Sequence, residues 1–256
     1  MLAERRHQLI LRALRSGGTA TVADLSEQLD VSAATIRRDL LRMEEEGLLT
    51  RVHGGAVIED DPAPFSEAAG AQVAEKDAIA AQAATMIEDG QSVILDSGTT
   101  VHQLARHLHG RRLTVITNNL AVYEELGEDE DIDLVLLGGM VIRASRMTDG
   151  FMTQDALRQL HADWIFLGAC GVRRGGQVMD TTVVEVPARR AMIAAGDKVV
   201  LLADKSKFPG TGMVKICDPE ELDVLVTDAS ADEATCTALN EAGVTVIRTA
   251  PAPVGG

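Results

Sequence analysis

A chain of 256 residues with 46% hydrophobic and 25% charged residues exceeds the ordinary single-domain length and has enough apolar content for two cores, which excludes a wholly disordered protein. A formal charge of −15 argues against a generally basic nucleic-acid binder, and no run approaches the ~18 apolar residues of a membrane span. Cys170, Cys217 and Cys236 are too scattered for a zinc site or a disulfide framework, and the charged start MLAERRHQ lacks the form of a secretion signal, so a cytoplasmic protein without metal or cofactor is expected.

Charge is unevenly distributed. Residues 1–58 hold eight arginines and eight acids, so all the net negative charge lies beyond them. Because salt screens charges beyond about 8 Å, that distant excess hardly weakens arginines placed against phosphate.

Residues 4–15, ERRHQLILRALR, put Leu9, Ile10, Ala13 and Leu14 on one helical stripe that Ser16-Gly17-Gly18 ends. Thr21 can cap a short second helix over 21–29 that gathers Val22, Leu25 and Leu29, and Asp30-Val31 is a tight turn. Ser32 caps a third helix running to about Glu46, where Gly47 supplies a left-handed end. Its Ile36, Leu40 and Met43 share an inward face, which leaves Ala34, Thr35, Arg38 and Arg42 outward and Arg37 on the flank. Small residues at a helix start let it approach base edges, and guanidinium forks bind guanine or phosphate. Residues 48–52 alternate as a strand, His53-Gly54-Gly55 turn, and residues 56–58 return. This gives a two-stranded wing with Arg51, His53 and Gly54 at its tip. The sum is a winged helix-turn-helix in residues 1–58 that reads double-stranded operator DNA through Ser32, Ala34, Thr35, Arg37, Arg38, Arg42, Arg51, His53 and Gly54.

This segment resembles the DeoR family of bacterial transcriptional regulators. The family pattern VS-x-x-TIRRDL-x-x-LE-x-x-G-x-L-x-R-x-HGGA is met by Val31, Ser32, Thr35 to Leu40, Glu44, Gly47, Leu49, Arg51 and His53 to Ala56, with Met43 where Leu is usual.

The stretch IEDDPAPFSEAAGAQ, 58–72, holds four acids and two prolines without periodicity, and a linker is expected over 59–75. From 76 to 248 an Ala-rich helix at 76–88 precedes strands at 92–96, 113–117, 133–137, 164–169, 199–203, 224–227 and 244–247, with helical patterns between several of them. That alternation predicts an α/β domain with a largely parallel sheet, whose ligands collect at the carboxyl ends of the strands. The polar residues fall there. Asp96, Ser97, Gly98, Thr99 and Thr100 follow one strand and open a helix at 101–108, an arrangement suited to an anion. Thr117, Asn118 and Asn119 end the next strand, Gly138 and Gly139 another, and Asp204 and Lys205 a fourth. Together they point to a phosphorylated polyol. Residues 249–256 lack any pattern and are expected to form a disordered tail.

The resemblance continues through DSGTT, TNN, LGG, Gly150, Glu185 and ADKSKF, and so covers roughly residues 4 to 230. It implies a C-terminal sensor domain similar to ribose-5-phosphate isomerase and CoA-transferase folds, which binds sugar phosphates and uses Glu185. Where the family has E-A-x-V-K-R, this chain has Glu185-Val186-Pro187-Ala188-Arg189-Arg190, with Arg at the Lys position. The expected protein is a homo-oligomeric regulator, at least a dimer, repressing a carbohydrate operon under control of a phosphorylated sugar. The competing reading is a sugar-phosphate isomerase-like enzyme using Asp96, Glu185 and Lys205, disfavoured because an isomerase has no use for a DNA-binding domain. His102, His107 and His109 crowd one helix off a common face and are expected at the surface, without a metal.

Overall fold

The computed structural model describes residues 5–7, 9–10, 13–14, 19–45, 49–52, 54–57, 65–210 and 212–250, which divide into two compact units at residues 63 and 64. Ser16-Gly17-Gly18, Gly47, Leu48, His53 and residues 251–256 lie outside the described residues, with the expectations attached to them.

In the N-terminal unit residues 5–7, 9–10 and 13–14 are helical. Strand β1 (Thr19–Thr21) leads into α1 (Val22–Leu29), whose first turn is closed by the Thr21 hydroxyl accepting from the Asp24 amide. Asp30 then reverses the chain in the left-handed region, φ 51°. Helix α2 (Ala33–Glu45) begins where the Ser32 Oγ accepts from the Thr35 amide at 3.2 Å. Ile10, Leu14, Leu25, Ile36, Leu40 and Met43 form the core of this unit, as the helical spacing requires. Asp39 is buried with them, because it takes two bonds from Arg6, at 2.5 and 2.9 Å, and one from His7 at 3.2 Å. Burial alone would raise its pKa; the bonds from Arg6 and His7 outweigh that and hold it below the usual range. The wing differs from the two-stranded expectation. Strands β2 (Thr50–Val52) and β3 (Gly55–Val57) are joined by β1 in the order β1-β3-β2. Three residues before a helix are too few to show alternation, so sequence period could not reveal β1.

In the second unit, residues 65–70 of the expected linker are helical: α3 (Phe65–Gly70) buries Phe65, and α4 (Val73–Ala84) follows directly. Seven parallel strands then form one sheet, β15-β14-β12-β9-β4-β5-β6. These are β4 (Ser92–Leu95), β5 (Leu113–Thr117), β6 (Ile132–Leu136), β9 (Ala162–Leu167), β12 (Gly196–Leu202), β14 (Val224–Asp228) and β15 (Thr245–Thr249). Each apolar run expected as a strand is one of them, and β15 extends to Thr249, past the point where the run stops. Neighbouring residues feed opposite faces. Ile94, Ile165, Leu167 and Leu201 enter one core, while Val93, Leu95, Phe166, Val200 and Leu202 enter the other. Both faces of the central strands are therefore buried, which is why these read as continuous apolar runs, while the edge strands β6 and β15 are more exposed.

The connections that shape the site are α5 (Thr99–Arg106), α6 (Leu120–Leu126), the hairpin β7 (Met140–Ile142) and β8 (Met147–Asp149), and α7 (Phe151–Leu157). Further on come β10 (Gly171–Val172), β11 (Val178–Asp180), α8 (Val186–Ala194) and β13 (Val214–Cys217), and then α9 (Glu233–Glu241). Strands β10, β11 and β13 make a small antiparallel sheet.

Candidate functional site

In the N-terminal unit the side of α2 opposite the core carries Ala34, Arg38 and Leu41, all exposed, with Arg37 and Arg42 exposed beside them and Thr35 half-buried. The Ser32 hydroxyl is occupied in part, lying 2.9 Å from the Thr35 hydroxyl. The burial of Asp39 by Arg6 fixes the rotation of α2 against the first helical segment, so the outward side is set by an ion pair as well as by leucines. Gly54 turns the wing at φ 87°, and its carbonyl accepts from the Val22 amide at 2.8 Å. Arg51 is tied to Glu44, its amide donating at 3.0 Å and its guanidinium standing 3.6 Å from the carboxylate. Leu41, 45% exposed, had not been singled out in sequence, because a leucine in an amphipathic helix reads as core.

In the second unit Asp96 is fully buried at the end of β4, and its Oδ2 accepts from the Gly168 amide and the Arg189 Nε, at 3.1 and 3.0 Å. Arg189, on α8, is the hub. Its guanidinium also binds Asp180, donates to the Ser97 hydroxyl at 3.0 Å and lies 3.3 Å from Glu185. Sequence marked Arg189 only as a departure from the family pattern, and Asp180 and Asp149 not at all. Glu185 sits where α8 begins and accepts from the Ser145 hydroxyl at 2.9 Å. Burial raises its pKa to about 7; the Ser145 bond opposes the rise, and Asp96 and Asp149 add to it. Asp149, buried at the end of β8, is raised by its own burial, and its Oδ2 has no hydrogen-bond partner.

Gly98 opens α5 at φ 112°, a conformation hostile to other residues, and no side chain caps that helix. Gly139 is required by space, since a Cβ there would lie 2.6 Å from both the Asp149 carbonyl and the Thr153 hydroxyl. Gly138 is joined to the same place through its carbonyl, which accepts from Thr153 at 2.7 Å. Thr99 and Thr100 form the first turn of α5, with Thr100 buried.

Two of the expected ligand residues, Thr117 and Asn119, make hydrogen bonds within the fold. Thr117 donates to the Leu95 carbonyl and accepts from the Asn119 amide. Asn119 caps α6 through Oδ1, and its Nδ2 donates to the carbonyls of Asp96 and Gly98, both at 3.3 Å. Asn118 holds the Thr148 carbonyl, but its buried Oδ1 has no partner. Lys205 and Asp204 gather elsewhere. The Lys205 ammonium pairs with Glu75 of α4 at 3.0 Å, its amide donates to Asp228 at 2.5 Å, and Asp204 accepts from Ser206. Strand β9 stands between β12 and β4, so about two strand spacings, roughly 10 Å, separate this cluster from Asp96. Asp96 and Glu185 thus share Arg189 while Lys205 does not join them, and the three groups an isomerase would turn on one substrate carbon are not brought together.

Of the three histidines of this stretch His109 is exposed as expected, while His102 departs from the surface expectation. His102 is half-buried, 5.8 Å ring to ring from Phe65, and pairs with Glu125, which His109 meets from the other side. Among the described residues no cluster of His, Cys, Asp and Glu suits a metal ion, and no helix is long and apolar enough to cross a membrane.

Known families match both units. The DeoR-like helix-turn-helix domain matches residues 6–61, and the DeoR C terminal sensor domain matches residues 71–229. The chain belongs to the DeoR family. It is 34% identical over 96% of its length, and 98% of the relative's, to the HTH-type transcriptional regulator GolR of Listeria innocua. To the glycerol-3-phosphate regulon repressor of Escherichia coli K12 it is 32% identical, over 90% of this chain and 92% of the other. Ribose 5-phosphate isomerase A of Methanocaldococcus jannaschii superposes with a TM-score of 0.38 at 18% identity, covering 52% of each chain. As a DeoR member the protein is a DNA-binding transcriptional regulator, not an enzyme.

Glu185 gives this domain a pH signature. With a folded pKa of about 7 against 4.5 free, its favourable contribution is complete below pH 4.5 and is lost as pH rises through 7, a change of about 3 kcal/mol. Urea unfolding followed by the fluorescence of Trp164, the single tryptophan, should show Glu185→Gln flattening that fall. Parallel pH profiles for variant and parent would assign the slope to other groups.

Proposed function

We propose that this regulator is a repressor of a carbohydrate operon, at least a dimer, acting in the cytoplasm and released from operator DNA by a phosphorylated sugar or related metabolite. In this reading residues 1–58 bind DNA, the stretch that follows connects, and the second unit, from α3 to β15, senses. The N-terminal face of Ala34, Thr35, Arg37, Arg38 and Arg42, with the wing residues Arg51, His53 and Gly54, enters the duplex. Two such units related by a twofold axis read half-sites about one helical turn, or multiples of it, apart.

The observation that carries the effector class is the start of α5. A helix opens on Gly98 with no side-chain cap, at the carboxyl end of β4, beside buried carboxyl groups and the unpaired Oδ1 of Asn118. Its amides suit a phosphate, and the carbonyl and carboxylate oxygens accept from polyol hydroxyls. Protons kept on Glu185 up to about pH 7 lessen the repulsion a phosphate meets there. The name of the Escherichia coli relative, a repressor of a glycerol-3-phosphate regulon, supports both the sign and the ligand class.

Thermal shift measurements with glycerol 3-phosphate, ribose 5-phosphate and fructose 6-phosphate test this, against glycerol, ribose, fructose and inorganic phosphate. A phosphorylated polyol at a hundredfold excess over its Kd should add about 2.7 kcal/mol of stability. Equal stabilisation by inorganic phosphate would reduce the site to an anion hole, and no response to any of the three would end the sugar-phosphate reading.

A further inference from the structure

The turn between β7 and β8, residues 143–146, joins the carboxylate cluster to the first helix of the second unit. Ser145 donates to Glu185 at 2.9 Å. On one side of it the Ala144 carbonyl accepts from the Phe65 amide at 2.9 Å, and on the other the Arg146 guanidinium lies over the Phe65 ring, 5.4 Å from its centroid. The Arg146 carbonyl accepts from Leu120 at 2.8 Å, and Thr148 donates to the Asn118 carbonyl at 2.9 Å, so the turn is also seated on the loop that holds Asp96 and Gly98. Arg146 occupies the left-handed region at φ 49°, a conformation its neighbours must hold in place. The far end of α3 is tied to α4 by Lys76 Nζ donating to the Ala68 carbonyl at 2.5 Å. The Phe65 end, eight positions after the last residue of β3 and two after the N-terminal unit has ended, therefore rests on this turn.

We propose that residues 143–146 are the coupling turn of this regulator: a ligand that takes the Glu185 carboxyl from Ser145 unseats the turn, releases Phe65, and so alters the anchorage of the segment leading to the DNA-binding unit. This rests on the effector reading of the Glu185 cluster. Coupling needs an element with two arrangements that both sites bias, and the Ser145–Glu185 hydrogen bond is the contact of this turn that a ligand at the carboxylate cluster would exchange.

The test uses the full chain and a DNA duplex selected against it from a random library. Without ligand, Ser145→Ala should imitate effector, changing duplex affinity about fivefold or more and raising amide hydrogen exchange across residues 65–70. Unchanged affinity together with unchanged exchange overturns the turn's role. Phe65→Leu, which keeps an apolar side chain but loses both ring contacts, should bind glycerol 3-phosphate, ribose 5-phosphate or fructose 6-phosphate as the parent does, yet lose the ligand-driven change in duplex affinity. A full response in Phe65→Leu overturns the proposal while leaving the effector site intact. If none of the three probes binds the parent, the effector reading falls, and the ligand-free comparison still decides whether the turn controls DNA binding.

Discussion

Replacing Arg189 by methionine should cost the second unit about 3–5 kcal/mol at neutral pH, the scale for removing one partner of a buried ion pair. The guanidinium is buried, as are Asp96 and Asp180, whose side chains are 1% exposed. It answers Asp96, Asp180, Glu185 and the Ser97 hydroxyl together. Methionine matches its length and removes every guanidinium donor, leaving the buried carboxylates with their other hydrogen bonds but without a counter-charge. Protonation then becomes the chain's remaining way to neutralise them. Carboxyls deprived of Arg189 have raised folded pKa values, so the variant's stability is greatest at low pH and falls as pH rises through those values. Urea midpoints by Trp164 fluorescence at pH 5 and pH 8 should therefore separate variant from parent more at the higher pH. A difference under 1 kcal/mol at pH 8 would show that the cluster is hydrated and does not depend on its arginine. Arg189→Lys should lie between the two. An ammonium restores charge at the position where the family pattern carries lysine, but its compact donor group cannot reproduce a fork spread over Asp96, Asp180 and Ser97.

The central parallel strands were legible in the sequence because they are buried on both faces and leave continuous apolar runs, while the more exposed edge strands β6 and β15 were legible from shorter apolar runs. The rotation of α2 was legible for a related reason: Ile36, Leu40 and Met43 recur at helical period. What period could not show is how polar residues pair across the fold. Arg189 meets Asp96 from 93 positions away, and Ser145 meets Glu185 from 40, so neither partnership has a local signature. Thr117, Asn119 and Lys205 illustrate the converse. They sit at strand ends, as a ligand group would, yet Thr117 and Asn119 spend their hydrogen bonds on backbone, and Lys205 spends its ammonium on Glu75. Helix α3 was obscured by the prolines and acids around it, and its one buried aromatic, Phe65, has only the small Ala68 and Ala69 at helical spacing.

Arg38→Ala should weaken binding to the selected duplex by about 1–3 kcal/mol, or roughly 5- to 150-fold, and leave sugar-phosphate binding unchanged. Arg38 stands about 160° around α2 from the buried Leu40 and lies with Ala34 on the outward side, exposed and more than one turn from either end. Alanine preserves the helix, since it has the best intrinsic propensity, so a loss of affinity reports the guanidinium and not the fold. Its neighbour supplies the internal comparison. If Arg37, on the flank, meets backbone phosphate, Arg37→Ala should weaken binding to all duplexes alike and lower the slope of log K against log salt by about 1. Arg38→Ala should instead relax preference at one base pair with a smaller change in slope, because base contacts carry sequence information and phosphate contacts do not. Affinities measured at several matched salt concentrations, on the selected duplex and on single-base variants, distinguish the two. Full affinity and unchanged base preference in Arg38→Ala would remove α2 from the groove and move DNA recognition to the wing.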